Sequence, residues 1–311
     1  MDLDAYFGRK ALPADYRSGF VGIIGRPNVG KSTLMNRILG QKIAIMSEKP
    51  QTTRNKIQGI YTDDAMQVIF LDTPGVHKPQ HKLGEYMNQA AVGMVADVDV
   101  VFYLADATAK IGGGEQYIAK QLQSSKAPVF LIINKIDLLP KEQLFSVISA
   151  YQNLLDFAEI VPVSAKDGDN VEHLLEVLKK YLPLGPQYYD PEQITDQPER
   201  AIMAEIIREK VFLQTRDEIP HAVAVQITEY LPRENGHLYV GAAIYVERDS
   251  QKGILIGKGG SMLKKIGSMA RPELERLFGN QVFLELRVKV KKDWRNDDWL
   301  LKNFGYDKKE L

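Results

Sequence analysis

Short apolar runs recur through residues 18–182, separated by stretches whose apolar positions repeat at helical spacing. The runs at 20–25, 56–61, 68–72, 98–105, 129–133 and 160–163 predict strands. The stretches 31–39, 85–95, 115–124, 142–155 and 171–182 predict helices. The strand runs are nearly unbroken Val, Ile and Leu without alternation, the mark of strands buried on both faces. Strands alternating with helices imply a doubly wound α/β sheet with right-handed crossovers. Such a sheet takes its ligand at the carboxyl ends of its strands.

The pattern then changes. Residues 183–198, PLGPQYYDPEQITDQP, hold four prolines in sixteen positions and read as a linker. Beyond it, 200–214 predicts a helix with apolar positions at Ile202, Ile206 and Leu213. Residues 223–230 and 238–247 predict two strands joined by a turn at Asn235-Gly236. A glycine-rich stretch, 252–260, leads into a helix at 261–269, then a second helix at 273–278 and a last strand at 282–290. The second region is thus a smaller α+β domain in the order α-β-β-α-α-β. In its last strand Val282, Leu284, Leu286, Val288 and Val290 face one way. Phe283, Glu285, Arg287, Lys289 and Lys291 face the other, as a largely basic ribbon or an ordinary solvated face.

Two domains agree with a length of 311 residues. The absence of cysteine excludes a disulfide scaffold, a Cys-ligated metal site and a thiol nucleophile. Lys+Arg and Asp+Glu are both 40, yet residues 251–292 carry ten basic and three acidic residues, a local +7. No apolar run is long enough to span a membrane, and the first twenty residues do not read as a secretory signal. The five histidines form no ligand cluster, and Trp294, Trp299 and Phe304 suit a short helix packed on its domain.

The chemistry sits in five short motifs. Gly25-Arg26-Pro27-Asn28-Val29-Gly30-Lys31-Ser32-Thr33 fits G-x-x-x-x-G-K-[ST] between a strand and a helix. Such a loop turns backbone N–H groups onto phosphate oxygens at a helix N-terminus. Lys31 is placed for the β- and γ-phosphates, Ser32 for Mg²⁺. Asn134-Lys135-Ile136-Asp137 ends a strand and selects guanine, because a carboxylate at Asp137 accepts from two guanine donors that adenine lacks. Ser164-Ala165-Lys166 follows the next strand and offers a backbone N–H to the guanine carbonyl. Asp72-Thr73-Pro74-Gly75 places a carboxylate for Mg²⁺, through water, and the Gly75 N–H for the γ-phosphate. In Pro50-Gln51-Thr52-Thr53-Arg54 one threonine completes the Mg²⁺ shell, Thr53 in preference to Thr52. Val76 stands where many GTPases carry a water-orienting glutamine. Asn28 either helps hold a K⁺ beside the phosphates or is structural. Turnover is expected to be slow, with Asn28, Lys31, Thr53 and Gly75 as the catalytic set.

In the second region, Gly257-Lys258-Gly259-Gly260 is a G-x-x-G loop of the kind that clamps about four nucleotides. Lys252, Lys258, Lys264, Lys265 and Arg271 surround it, and Lys289 and Lys291 add to the positive charge. The basic region also admits a rival reading, a GTPase directed to membranes or proteins.

Together, GRPNVGKST, QTTRN, DTPG, NKID and SAK, then GILIGKGGSMLKKIG and VKVKKDWRNDDWLLKNFGY, closely resemble the Era family of bacterial GTPases over about 18–306. The resemblance implies a Ras-like G domain at 18–182 and a type II KH domain at 199–311. It implies GTP hydrolysis to GDP with Mg²⁺, coupled to binding of small-subunit ribosomal RNA near its 3′ end during 30S assembly. The ligand would be RNA and not DNA, and the protein a monomer. It would be cytoplasmic and partly peripheral at the inner face of the membrane. A hydrophobic residue at Val76 agrees with the family. Residues 1–17 extend beyond a minimal member and receive no role.

Overall fold

The computed structural model describes residues 12–45, 53–76, 79, 81–233 and 236–307. Thr52 and Asn235, along with most of the N-terminal extension, lie outside them. The chain forms two compact units. The first is Met1–Lys42, Lys56–Val76 and Ala91–Asp196, and the second Ile43–Asn55, His77–Ala90 and Gln197–Leu311.

The first unit is built on six strands: β1 (Arg17–Gly25), β2 (Ile57–Thr62), β3 (Met66–Asp72), β4 (Val100–Asp106), β5 (Val129–Asn134) and β6 (Glu159–Val163). Their order is β2-β3-β1-β4-β5-β6, with β2 antiparallel and the rest parallel. Helices α1 (Lys31–Leu39), α3 (Gly113–Leu122), α4 (Lys141–Gln152) and α5 (Val171–Tyr181) belong to this unit, and α2 (Lys82–Gly93) ends in it. Val101, Tyr103 and Ala105 of β4 and Leu131 and Ile133 of β5 pack on Ile118 and Leu122 of α3 and Tyr151 of α4. Burial on both faces explains why these strands lack alternation. Strand order reverses beside β1, and parallel register brings Asp72 beside Ile23 and Asn134 beside Val163. The loops that follow β1, β3, β5 and β6 therefore leave one edge of the sheet.

Residues 183–196 are bound to this unit. Ile60 N–H donates to the Ile194 carbonyl (2.9 Å), and Thr195 Oγ1 to the Gln58 carbonyl (2.6 Å). Gln67, fully buried, accepts at Oε1 from the N–H groups of Tyr188 (2.7 Å) and Tyr189 (3.0 Å). The proline-rich stretch covers the outer edge of β2, whose unpaired backbone groups would otherwise be open to pairing.

In the second unit α6 (Glu199–Gln214), α7 (Asp249–Ile256) and α8 (Ser261–Phe278) join β7 (Ala224–Pro232), β8 (Leu238–Val246) and β9 (Val282–Val290). β7 and β8 are antiparallel, β8 and β9 parallel. Ile207 and Val211, Leu255, and Ile266, Ala270 and Leu274 pack on Val225, Val240, Ile244, Val282 and Val288. A second cluster joins Ala224, Ala243 and Tyr245 to Leu83, Tyr86 and Met87 of α2 and to Trp294, Leu301 and Tyr306. Leu301 lies on α9 (Asp298–Asn303), the short helix expected of the C-terminal aromatics.

Two expected boundaries are corrected. The helices expected at 261–269 and 273–278 are one, with Pro272 inside it. An interior proline costs about 3 kcal/mol in isolation. Here Ile266, Ala270 and Leu274, fully buried at intervals of four, hold the helix straight through, and Pro272 sits on the exposed side. The glycine-rich stretch from 252 is not a loop until Gly257, because residues 249–256 are helical. Burial of Leu255 and acceptance by Gln251 Oε1 from the N–H groups of Glu247 (2.9 Å) and Arg248 (3.1 Å) start and seat this helix despite Gly253.

Candidate functional site

The Gly25–Ser32 loop needs left-handed backbone at two points, Asn28 (φ 66°) and Gly30 (φ 99°). At Gly30 a Cβ would fall 2.1 Å from Asn134 Nδ2, so no other residue fits. Asn134 is buried and joins three motifs: its Nδ2 donates to the Val29 carbonyl (2.8 Å), and its Oδ1 accepts from Ala165 N–H (2.9 Å). Of the backbone N–H groups in the Ser164–Lys166 motif, that of Ala165 is thus engaged by Asn134. Arg37, which sequence reasoning passed over, donates through Nε to the Ala165 carbonyl (3.2 Å) and through Nη2 to the Lys166 carbonyl. It holds that loop from α1. Asp137 is exposed, and its Oδ1 accepts from the buried Ser164 hydroxyl (2.8 Å), leaving a carboxylate edge aimed outward. Lys135 (φ 68°) pairs with Asp106 Oδ2 at 2.6 Å. Burial pushes the Asp106 carboxyl up, but Lys135 and two bonds from Thr108 outweigh it and hold the pKa below the usual range.

Lys31 is buried, and its Nζ donates to the carbonyls of Arg26 (3.1 Å) and Gly25 (3.3 Å). Burial pushes its pKa down to about 8, against an opposing pull from Asp72. Ser32 Oγ donates to Asp72 Oδ2 at 2.6 Å. These two oxygens suit a hard cation, and among the described residues no group of three or more His, Cys, Asp or Glu gathers. A Mg²⁺ site commonly takes one or two protein oxygens, with water and substrate phosphates completing the shell. The Thr73 hydroxyl donates to the Ile23 carbonyl (2.7 Å). Gly75 packs on Pro27, where a Cβ would meet backbone at 2.7 Å. Val76 lies in the core with Ile24, Ala91 and Tyr103. Arg26 leaves the loop to pair with buried Glu115 at 3.1 Å. Thr53 is buried and belongs to the second unit, whereas Ser32 and Asp72 belong to the first.

In the second unit Gly257 (φ 73°), Gly259 (φ 59°) and Gly260 (φ 80°) form the turn between α7 and α8. A Cβ on Gly257 would lie 2.8 Å from the Met262 backbone nitrogen. Gly257→Ala is therefore expected to destabilise this unit by about 1–3 kcal/mol, read in its urea unfolding midpoint. Beside the turn runs a groove of about 440 Å³. One wall is α8, with Gly260, Leu263, Lys264, Gly267, Ser268 and Arg271; the other is β9, with Val282, Leu284 and Leu286. Lys258 and Lys265 are exposed nearby in the chain, and Lys252 is half-exposed on α7. Lys289 is not brought to this groove. It lines a separate depression on the opposite face of the sheet, with Tyr239, Glu285 and Arg287. There Arg287 pairs with Glu285 at 2.6 Å, so the basic ribbon expected of this face is partly neutralised. Lys291, beyond the end of β9, is exposed.

A phosphate loop with an Asn-Lys-x-Asp motif at a neighbouring strand end, followed by an α-β-β-α-α-β module with a glycine turn, defines a class: a P-loop GTPase carrying a KH domain. The comparisons agree. Residues 20–135 match the family described as "50S ribosome-binding GTPase", and residues 218–295 match the KH domain. A variant of Aquifex aeolicus Era solved with GDP and AlF4⁻ is 40% identical, with a TM-score of 0.90 over 93% of this chain and 99% of that one. An Era structure solved with MgGDPNP and nucleotides 1506–1542 of 16S ribosomal RNA is also 40% identical, with a TM-score of 0.90 over 94% and 99%. The chain belongs to the Era family of GTPases.

Proposed function

We propose that this protein is a GTP-controlled switch that binds small-subunit ribosomal RNA near its 3′ end and acts in assembly of the 30S subunit. The Era structure holding 16S nucleotides supports that choice of RNA. The first family description names the large subunit, but its match stops at 135, within the GTPase unit, so RNA preference rests on the relative that covers both units. One observation carries the switch. Among the described residues, 43–45 and 53–55, which include Thr53, and 81–90, which follow the Asp72–Gly75 motif in the chain, group with the unit that holds the KH fold. A rearrangement of these segments at the γ-phosphate would therefore be felt in that unit, through the packing that holds them to it.

The division of labour follows from the geometry. Backbone N–H groups of the loop and the Lys31 ammonium bind the phosphates, and Asp137 selects guanine. Ser32 and Asp72 would hold Mg²⁺, which when bound neutralises charge on the β- and γ-phosphate oxygens; Thr53 completes the set in the GTP state. Water attacks the γ-phosphorus, the bond to the β–γ bridging oxygen breaks, and GDP and phosphate leave. Val76, in the core, has no polar group to orient that water. Asn28, exposed on the loop, would hold a K⁺ through its amide oxygen, and that charge would act at the bridging oxygen. Exchange of K⁺ for Na⁺ slows turnover under this reading.

On the RNA side, the turn at Gly257 and the groove beside α8 admit a single strand, and Lys258, Lys264 and Arg271 meet its phosphates. Lys258→Glu combined with Lys264→Glu is expected to weaken RNA binding at least tenfold and make its salt dependence shallower by about 1.4 log–log units. GDP affinity should stay within about twofold. We propose that the protein acts in the cytoplasm, with a share peripheral at the inner membrane face through surfaces other than these lysines. Vesicle association that falls with RNA binding, or RNA binding that survives, would overturn this reading in favour of a membrane- or protein-directed GTPase.

A further inference from the structure

Arg54 follows Thr53 directly, yet its side chain is committed to the core of the second unit, only 1% exposed. Its Nη1 donates to the Val223 carbonyl (2.5 Å) and its Nη2 to the carbonyls of Pro220 and His221 (both 3.1 Å). Its Cζ lies 5.8 Å from the Trp294 ring and 5.9 Å from the Phe212 ring. Trp294 is itself fixed, with Nε1 donating to the Ala222 carbonyl (2.8 Å) and its ring stacked on Tyr306 at 6.2 Å. The next residue, Asn55, accepts from Tyr86 Oη at 3.1 Å, and the Tyr86 ring packs edge-on against Tyr306. One turn, 220–223, thus receives three hydrogen bonds from a residue more than 160 positions earlier, and that turn leads directly into β7.

A buried guanidinium is an expensive anchor. Desolvating it costs several kcal/mol, and apolar packing of equal volume usually holds a segment at least as well. What the guanidinium supplies instead is a single position, because its planar fork fits only one arrangement of carbonyls. Consecutive Cα atoms are 3.8 Å apart, so Thr53 cannot travel far while Arg54 stays seated.

We propose that Arg54 is the positioning residue through which the switch described above reaches the KH fold: seated between Phe212 and Trp294 it holds the Thr53 segment in the second unit, and engagement of Thr53 at the γ-phosphate withdraws it. The inference rests on that switch reading. Withdrawal removes three hydrogen bonds from the 220–223 turn and a ring neighbour from Trp294, and so changes the start of β7 and the C-terminal cluster together. Seating therefore opposes GTP and leaves GDP, which lacks the γ-phosphate, unaffected.

The test uses the full chain with an RNA of 16S nucleotides 1506–1542, as in the related structure. Arg54→Met should tighten GDPNP binding several-fold while GDP binding stays within twofold, a split that a merely structural role would not produce. The difference in RNA affinity between the GDPNP and GDP forms, about fivefold or more in the unsubstituted chain, should collapse to within twofold. In a Trp299→Phe background, which removes the exposed tryptophan, Trp294 emission should change on adding MgGDPNP and not on adding GDP. That last measurement needs no substitution at Arg54 and decides the matter if Arg54→Met fails to fold; an unchanged spectrum overturns the inference. Equal RNA affinities in the unsubstituted chain refute the switch itself. A difference that is present there and persists in Arg54→Met refutes only the part given to Arg54.

Discussion

Lys31→Met is expected to weaken nucleotide binding by about two to four orders of magnitude and leave the protein as stable as before, or more so. The ammonium is buried, and burial pushes its pKa down to about 8 from the ordinary 10.5. A shift of that size corresponds to roughly 3 kcal/mol of penalty on the charged form in the folded state. The carbonyls of Gly25 and Arg26 offset part of it, since both accept from Nζ. The sign follows from linkage. The folded pKa lies below the unfolded one, so the penalty is complete below pH 8 and is relieved as pH rises from about 8 towards 10.5. The unsubstituted protein should therefore gain stability across that window relative to Lys31→Met, which has no such proton to lose. Binding runs the other way. Phosphate oxygens favour the ammonium, so nucleotide affinity should fall above pH 8, by at most about tenfold per pH unit. Two charge-assisted hydrogen bonds lost from the phosphates are worth about 3–6 kcal/mol, or some two to four orders of magnitude in affinity. Fluorescent-GDP titration and thermal melting, each from pH 7 to 10, check both halves. GDP binding by Lys31→Met within tenfold of the parent would refute the role given to this lysine.

Much of the first unit was legible because its signals are local. An unbroken run such as Val129–Asn134 (β5) can be buried only between two layers, and a glycine loop between strand and helix has few uses. What sequence could not show were side chains whose partners are backbone groups far along the chain. Arg37 reads as an ordinary helix-surface arginine, but its acceptors are carbonyls 128 and 129 residues away. Gln58 and Gln67 read as polar interruptions in strands, yet they bind the proline-rich stretch that composition alone marks as a linker. Pro272 and Gly253 disfavour helix by local propensity, while burial of Leu274 and Leu255 decides the outcome in three dimensions. Charge misled in a different way. It has no direction along a sequence, so Lys289 was grouped with the glycine turn although alternation already put it on the opposite face from Val282 and Leu284. Arg54 stood inside a recognised motif, and its burial in the second unit had no signal in the sequence.

Asp137→Asn should exchange one nucleobase for another without disturbing the fold. Asp137 is exposed and touches its surroundings chiefly through Oδ1, which accepts from Ser164 Oγ at 2.8 Å. An asparagine amide oxygen accepts that bond equally well. The loop is held independently by Asn134, bonded to Val29 and Ala165, and by Lys135 on Asp106. The melting temperature should therefore stay within about 1 °C, as for a surface substitution that keeps its contacts. Recognition changes at the outward edge. Guanine presents two donors there, N1–H and the exocyclic amine, and a carboxylate accepts both; an amide has only one acceptor and meets the second donor with a donor of its own. Each hydrogen bond to a charged group is worth about 1.5–3 kcal/mol, so losing them lowers GTP affinity roughly a hundredfold or more. Xanthine carries a carbonyl in place of the amine, and the asparagine NH₂ donates to it. Affinity for XTP should rise as that for GTP falls, and hydrolysis should follow the nucleotide bound, since Lys31, Ser32 and Asp72 are untouched. Competition of GTP, XTP and ATP against a fluorescent nucleotide measures all of this in one series. Unchanged preference for GTP in Asp137→Asn would mean that this carboxylate does not read the base, and the choice of guanine over adenine would then need another set of donors and acceptors.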